Sequence, residues 1–299
     1  MGILLPKIDQ QSRQITVSFL MQNPKWLRQA LDELIDGNEI LSTFFTPSPE
    51  PVVGGGILYN VTRPEDRYSA DDVVERAPGD EYAYVRGVDP EARLALVRDW
   101  GGKFDVEDEV YRRNNVGYVN SELRQLANTL TRKLNLGALT AINAALDETP
   151  GGSNLVGTSD WSNFLTVGPA DQITPNTLRP SADWVHAQLA ADQERLGIVY
   201  DTLAVSPQQA ADLRIGYGDQ LDAVLSSAGL KMTTITHLDG GTAYLLKKGA
   251  AGRVGFEFPL TTDVIDKREN RKRIVQAYAV PAFAIDRPRA VKRITALAQ

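Results

Sequence analysis

Apolar residues recur at helical spacing through the middle of the chain. From about Asn115 to Leu146 they form one stripe at intervals of mostly three and four residues: Val116, Val119, Leu123, Leu126, Leu130 and Leu134, then Ala138, Ala141, Ile142, Ala145 and Leu146. Such a period is typical of an amphipathic helix with one buried face. The pattern predicts a long helix, with Leu126 buried in mid-stripe and Glu122 off the stripe. Gly137 would weaken this helix locally.

A second helical pattern lies near the N-terminus. Asn23 is a suitable N-cap, Pro24 suits the first helical position, and Gly37 would end the helix. Residues 1–22 are mostly polar and lack a helical period over most of their length. They are therefore expected to form an extended arm.

The next stretch is predicted to interrupt regular structure. Residues 41–56 hold three prolines and end in three glycines, Gly54 to Gly56. Two β-type runs follow, Ile57 to Thr62 and Tyr82 to Arg86, and they enclose a polar excursion that is too long for an ordinary hairpin loop. This excursion is either a mobile surface loop or an arm that packs on another subunit and hinges at the glycines.

Shorter units follow a linker-like run, Thr149 to Asn154, that contains proline and two glycines. Ser181 and Ser206 are the expected N-caps of two helices in this half. The expected helices are Ser181 to Leu196, Pro207 to Leu213 and Leu221 to Ala228, and the expected strands are Ile198 to Val205, Met232 to His237 and Thr242 to Leu246.

The last thirty residues read as two strands around a corner. β-type runs at Ile274 to Val280 and Ala290 to Leu297 flank a stretch rich in proline, aspartate and arginine, Pro281 to Pro288.

Charge is unevenly distributed along the chain. The total is 32 Lys/Arg and 38 Asp/Glu, a formal net charge of −6. Residues 263–299 hold nine cations and four anions (+5), so the first 262 residues hold 23 and 34 (−11). The acidic body argues against a general nucleic-acid binder. The basic segment could contact DNA or acidic surface on a neighbouring subunit. We favour the neighbour, because strand alternation spreads these charges over two faces.

The sequence offers few groups for chemistry. It has no cysteine and two histidines, His186 and His237, and it lacks phosphate-loop and hydrolase motifs. The acidic run from Asp105 to Glu109 lacks the glycine and terminal glutamate of a calcium loop. No apolar run approaches the roughly 18 residues of a membrane span. No catalytic residue, cofactor, metal or membrane contact is therefore expected. An α/β enzyme acting through His237 and Asp239 remains an alternative of a different class.

Several segments, in order, resemble tailed-phage major capsid proteins with the HK97-like fold, especially those of phages that infect actinobacteria. The corner Asp286-Arg287-Pro288 and the final run Ala290-Val-Lys-Arg-Ile-Thr are similar to the closing segment of that group. The run Gly101 to Glu109 resembles the stretch before the longest helix of the family. No single motif is diagnostic, whereas the ordered set, from about Asn23 to Leu297, is specific.

The resemblance implies an α+β fold and a division of the chain. Residues 1–50 would form an N-terminal arm and helix, and residues 51–86 an extended loop that overlies a neighbouring subunit. Residues 87–150 and 262–286 would form the peripheral (P) domain around a long spine helix. Residues 151–261 and 287–299 would form the axial (A) domain.

The resemblance also implies a function without catalysis. The chain would be a major capsid protein that self-assembles into hexamers and pentamers of an icosahedral head enclosing double-stranded DNA. Expected partners are copies of itself, scaffold, portal and decoration proteins, and packaged DNA bound without sequence specificity. The protein would assemble in the host cytoplasm and reside in the virion capsid. An encapsulin-type bacterial shell subunit is the alternative.

Assembly contacts are expected between the charged loop of one subunit and basic residues of the next. The loop, residues 51–87, carries seven Asp/Glu and four Arg (−3) and no lysine. The type member of the fold joins a loop lysine to an asparagine of its neighbour. A guanidinium is a poor nucleophile, so a non-covalent shell is predicted here. The expected contact residues are Arg63, Glu65, Asp66, Arg67, Asp71, Asp72, Glu75 and Arg76 on the loop, and Arg268, Arg271 and Arg273.

Overall fold

The computed structural model describes residues 39–113, 115–149 and 153–297 and shows the expected α+β fold. The predicted arm, the helix from Asn23 to Gly37 and the middle of the linker lie outside these residues. The helices described are α1 (Glu39–Phe44), α2 (Asp108–Arg112), α3 (Val116–Asp147), α4 (Pro180–Gln193), α5 (Pro207–Tyr217) and α6 (Leu221–Ser227). The strands described are β1 (Phe45–Pro47), β2 (Gly56–Asn60), β3 (Ala92–Leu96), β4 (Trp100–Glu107), β5 (Asn154–Val156), β6 (Thr202–Val205), β7 (Lys231–Thr234), β8 (Ala243–Leu246), β9 (Gly252–Lys267), β10 (Lys272–Ala284) and β11 (Val291–Thr295).

The first sheet has the strand order β1-β9-β10-β4, and α3 packs on one of its faces. Side chains of β10 alternate, so Val275 and Ala277 point to the helix while the residues between them point away. They pack with Val106 of β4 against a stripe of α3 that includes Val119 and Leu123. The helix begins where the Asn115 side chain caps the amide of Tyr118 at 3.3 Å.

The prediction of the long helix is confirmed, and its register needs one correction. Ala127 is fully buried, whereas Leu126 is only half-buried at the margin of the stripe, where it lies over Gly102 of β4. Over a long straight helix a stripe drifts around the axis. Leu123 and Leu130 remain buried on the sheet side of Leu126, and Glu122 is half-buried rather than exposed.

The second sheet has the order β5-β11-β8-β6-β7 and packs with α4, α5 and α6 around Trp161, Trp184 and Leu203. Ser206 starts α5 with a capping box: its hydroxyl accepts from the Gln209 amide at 3.3 Å, and the Gln209 side chain accepts from the Ser206 amide at 3.1 Å. This confirms the predicted start of that helix. The hairpin of the two long strands, β9 and β10, thus leads through a corner into β11, an interior strand of the second sheet.

Several local predictions are wrong. Residues 41–47 are not a break, because they form most of α1 and all of β1, whose apolar side chains fill the core between the two sheets. Pro180 rather than Ser181 begins α4. Strand β10 runs through Pro281 to Ala284, because its irregular pairing with β9 tolerates a residue without an amide hydrogen. Strand β6 begins at Thr202 rather than Ile198.

A further error concerns the extended loop. Tyr82 to Arg86 is not a strand; it is exposed and no strand pairs with it in the described chain, whereas β2 pairs with β3 at Ala92–Leu96. The excursion between the two strands therefore spans residues 61–91. No helix in the described residues is long and apolar enough to cross a membrane.

Candidate assembly interface

A two-stranded ribbon, β2 with β3, carries the extended loop away from both sheets. Leu58 lies opposite Leu94 and Gly56 lies opposite Leu96, so the three leucines share one face. That face is turned to solvent: Leu58 is 72% exposed, Leu94 59% and Leu96 67%. Sequence reasoning missed these residues. The alternation in Arg93-Leu-Ala-Leu96 is the signal that could have revealed them.

The opposite face of the ribbon fastens it to the ends of β9 and β10. Ile57 lies against Gly255 of β9, where an added Cβ would be 2.9 Å from its Cδ1. The amide of Arg98 donates to the carbonyl of Pro281 at 3.0 Å, and that of Thr62 donates to the carbonyl of Asp286 at 2.8 Å. The body therefore holds the ribbon at both ends: Pro281 of β10 binds the end next to Leu96, and Asp286, in the corner before β11, binds the end next to Asn60, here called the loop root.

Glycines lie where the chain enters the ribbon. Gly54 and Gly55 have φ values of 79° and 82°, which favour glycine, and no atom lies close to where their Cβ atoms would be. The carbonyl of Gly55 accepts from the amide of Val97 at 3.1 Å and closes the ribbon at this end. The glycines therefore lie at the entry to the ribbon, and a hinge at this place stays a prediction.

Four charged residues form consecutive ion pairs at the end of the ribbon where the loop begins. Arg63 pairs with Glu91, Arg93 pairs with Glu91 at 3.0 Å, and Arg93 also pairs with Glu148 just after α3. Burial raises the pKa of the nearby Tyr59 hydroxyl, and the Arg93 charge opposes that shift. Through Arg93 and Glu148, these ion pairs connect the loop root to the end of the long helix.

The predicted contact residues of the loop lie on the surface of residues 61–91. Asp66 accepts from the amide of Arg63 at 2.9 Å and Asp71 from the amide of Arg86 at 3.3 Å. The guanidinium of Arg76 lies 4.8 Å from the ring centre of Tyr82. Glu65, Arg67, Asp72 and Glu75 also lie on this segment. The carboxylates of Asp66 and Asp71 thus support local turns and remain accessible.

The predicted basic residues lie at the hairpin between β9 and β10. Arg268 pairs with Asp266 at 2.8 Å, and Arg271 adopts the left-handed conformation with φ of 49°. Arg273 faces Val106 of β4 in the strand register. The loop root contacts the other end of β10, about 40 Å away at about 3.3 Å per residue. The structure therefore does not bring the loop root and this basic group together within one chain.

The basic C-terminal segment forms ion pairs within its own chain. Arg289 and Lys292 both contact Oε1 of Glu194, at 2.6 and 2.5 Å, and Lys292 is fully buried. Lys272 pairs with Asp105 at 2.5 Å, and Arg293 pairs with Asp147. The expectation that this segment meets a neighbour is wrong for Arg289 and Lys292, because these buried cations pair with Glu194 of their own chain.

The residues considered for chemistry are dispersed. His186 is exposed on α4. His237 follows β7 beside a surface groove that also contains Asn128 and Arg132, and no hydrogen bond joins it to Asp239 in the described chain. Among the described residues, no group of His, Asp and Glu could hold a metal ion.

Comparison with solved structures places the fold among capsids. A virus-like particle protein of Pyrococcus furiosus matches with a TM-score of 0.60 and 16% identity, over 90% of this chain and 98% of that one. The capsid of cyanophage P-SCSP1u matches with a TM-score of 0.62 and 14% identity, over 87% and 88%. Mycobacterium phage Bobi matches with a TM-score of 0.58 and 11% identity, over 86% and 89%.

Sequence comparison gives the family. No curated protein sequence matches the chain significantly. The family described as phage capsid protein matches residues 90–294, more than half of the chain, which include the long helix, most of both sheets and the corner between them. The chain belongs to the phage capsid protein family and has the HK97-like fold.

Proposed function

We propose that this protein is a major capsid protein that self-assembles into hexamers and pentamers of an icosahedral head around double-stranded DNA. The observation that carries this proposal is the leucine face of the projecting ribbon, together with the family. Three neighbouring leucines facing water mark a surface that becomes covered by another molecule. A second copy of the chain is the occupant expected for a shell subunit.

Charge supports contacts between subunits at the same loop. Residues 51–87 carry a net charge of −3, and the β9–β10 hairpin presents Arg268 and Arg271. Because these groups occupy opposite ends of β10, the loop of one subunit would reach the hairpin of another. Arg63 is satisfied by Glu91 within the chain, so the acidic residues Glu65, Asp71, Asp72 and Glu75 are the better candidates.

The two sheets support a division into two domains. The P domain would hold the first sheet with α3, and the A domain the second sheet with α4 to α6. Strand β9 pairs with β10 from residue 253 onward. We therefore place the return from the A domain to the P domain near Gly252 rather than at residue 262.

The partners follow from this role. Scaffold, portal and decoration proteins and sequence-independent DNA contacts are proposed for the shell, with assembly in the host cytoplasm. An encapsulin-type shell is the second candidate, and the similarity to the virus-like particle of Pyrococcus furiosus favours keeping it. Nucleic acid inside purified virions would support the phage head, and protein cargo would support the alternative.

Assembly of the pure protein tests the proposal. Expressed alone or with its scaffold, the wild type should sediment as capsomers or shells and show closed particles by negative-stain microscopy. Leu58→Asp with Leu94→Asp should abolish shells, while Leu58→Met with Leu94→Met should retain them. Mature particles should run as monomers on a denaturing gel, since the loop has no lysine. A stable wild-type monomer under both conditions would overturn the proposal.

A further inference from the structure

Ion pairs around an open space add to the backbone hydrogen bond from Thr62 to Asp286 that attaches the extended loop to the body. A cavity of about 360 Å³ lies beneath the loop root, lined by Thr62, Arg93, Ala145, Glu148 and Ile285, among others. Close-packed apolar contact would fix one orientation of the loop. The loop root borders a cavity here and is joined to α3 through long, partly exposed side chains. Its orientation relative to α3 therefore depends on the ion pairs.

The ion pairs join the paired strands β2 and β3 to the end of α3. Arg63 follows β2, Glu91 precedes β3, and their pairing closes the mouth of the ribbon. Arg93 lies on the inner face of the ribbon and bridges Glu91 to Glu148. Glu148 is the C-cap of α3, so Arg93 also approaches the negative end of a long helix.

The other end of the ribbon begins at two glycines with open space around them. Gly54 and Gly55 have positive φ angles, and no atom lies within 4 Å of where their Cβ atoms would be. Between this entry and the ion pairs, each strand of the ribbon is only five residues long. A change at Glu148 would therefore be transmitted to the tip of a loop that spans residues 61–91.

We propose that Arg63, Glu91, Arg93 and Glu148 form a latch that sets the angle of the extended loop to the long helix. With the latch closed, the ribbon and its loop present the leucine face at one angle to the next subunit. With the latch open, the loop takes a range of angles, and neighbouring subunits no longer meet at a uniform curvature. The inference rests on the proposed function for its consequence in shells, while the latch itself is a property of the single chain.

Two measurements test the latch in the single chain separately from its consequence in shells. The chain has no cysteine, so spin labels can be placed uniquely with Ala77→Cys on the loop and Asn128→Cys on α3. A pulsed electron-spin distance measurement should give a narrow distribution in the wild type and a distribution at least twofold broader in Glu148→Arg, where two arginines repel. Shells of Glu148→Arg should be irregular in diameter or at least tenfold fewer.

Reversal of all four charges provides the decisive variant. Arg63→Glu, Glu91→Arg, Arg93→Glu and Glu148→Arg together restore every pair with opposite sign, and should recover the narrow distribution and regular shells. Glu122→Arg makes the same charge change on the same helix outside the latch and should behave as the wild type.

Three results would overturn the latch: Glu148→Arg indistinguishable from the wild type, failure of the fourfold reversal to restore it, or equal damage from Glu122→Arg. If the wild type forms no shells, the proposed function fails, and the distance distributions still decide the latch.

Discussion

The indole of Trp100 lies directly against Gly137 of the long helix. Trp100 begins β4 and points to the helix side of the first sheet, and a methyl group at Gly137 would overlap its six-membered ring. Trp100 also packs against Phe283 of β10, with ring centres 6.2 Å apart. The glycine that weakens the helix in isolation is therefore the residue that lets the helix approach the sheet.

This contact gives opposite expectations for two glycines of α3. Gly137→Ala would gain about 1 kcal/mol of helix propensity but overpack the Trp100 ring at a cost of about 1–3 kcal/mol, for a net loss of up to about 2 kcal/mol. Gly117→Ala has ordinary contact distance to its nearest neighbour, 3.7 Å to Asn115, and should gain up to about 1 kcal/mol. Denaturant unfolding of the two variants checks this. Stabilisation by Gly137→Ala would contradict the packing described.

The long helix shows what the hydrophobic pattern can predict. Its period predicted the extent of α3 closely, because one buried stripe suffices to define an amphipathic helix. Which residue lies at the centre of the stripe depends on the partner sheet. Small side chains such as Ala127 and Gly102 decide it, and the pattern of large apolar residues does not reveal them.

The extended loop shows where local pattern fails. Tyr82 to Arg86 has a strand-like sequence but is not paired, whereas Ala92–Leu96, which has no aromatic or β-branched residue, pairs with β2. Strand propensity describes how a residue fits a half-buried sheet, so it cannot tell which segment finds a partner. The charged contact residues could be recognised in the sequence. Their ion-pair partners could not, because the fold determines that Arg63 meets Glu91.

Asp183 is the basis of a second prediction, because its buried carboxylate holds a loop to α4. It accepts from the amide and hydroxyl of Thr158 at 2.9 and 2.8 Å, from Ser159, and from the indole of Trp161 at 2.9 Å. In Asp183→Asn an amide NH₂ group replaces one carboxylate oxygen and faces the N–H and O–H donors of the loop. It should lower the free energy of unfolding by at least about 3 kcal/mol.

The neighbouring Asp160→Asn is the matched control for Asp183. Asp160 accepts from the amide and hydroxyl of Ser162 near the surface. Its loss should cost less than about 1 kcal/mol. Equal effects of the two substitutions, measured by denaturant unfolding, would show that the carboxylate of Asp183 is not the anchor of this loop.

A third prediction concerns the buried ion group formed by Glu194, Arg289 and Lys292. Two cations share one carboxylate, and burial lowers the pKa of Lys292, a shift that Glu194 opposes. Glu194→Gln leaves two buried cations without this anion and should cost about 3–5 kcal/mol. Lys292→Met keeps the pair of Arg289 with Glu194 and should stay within about 1.5 kcal/mol of the wild type. A larger loss for Lys292→Met than for Glu194→Gln, by thermal or chemical unfolding, would refute this ranking.

The last prediction uses the corner where the two sheets and the loop root meet. Burial raises the pKa of the Asp286 carboxyl above its ordinary 3.8, and Arg253 and Arg287 oppose the shift. The folded state therefore binds this proton more tightly than the unfolded chain does. The stabilisation from this group is complete below pH 3.8 and is lost as pH rises through the raised pKa. Unfolding free energies of the wild type and Asp286→Asn, measured from about pH 3 to about pH 7, should diverge over that window in favour of the asparagine variant.

Arg253 gives this test a second arm. Its Nε lies 3.4 Å from Oδ2 of Asp286, and its charge lowers the pKa of that carboxyl. In an Arg253→Gln background the pKa of Asp286 should be higher still. The stability difference between Arg253→Gln alone and Arg253→Gln combined with Asp286→Asn should therefore keep growing to higher pH than it does in the wild-type background. A constant difference within each pair of proteins, whatever the pH, would mean that the side chain of Asp286 does not bind a proton more tightly on folding.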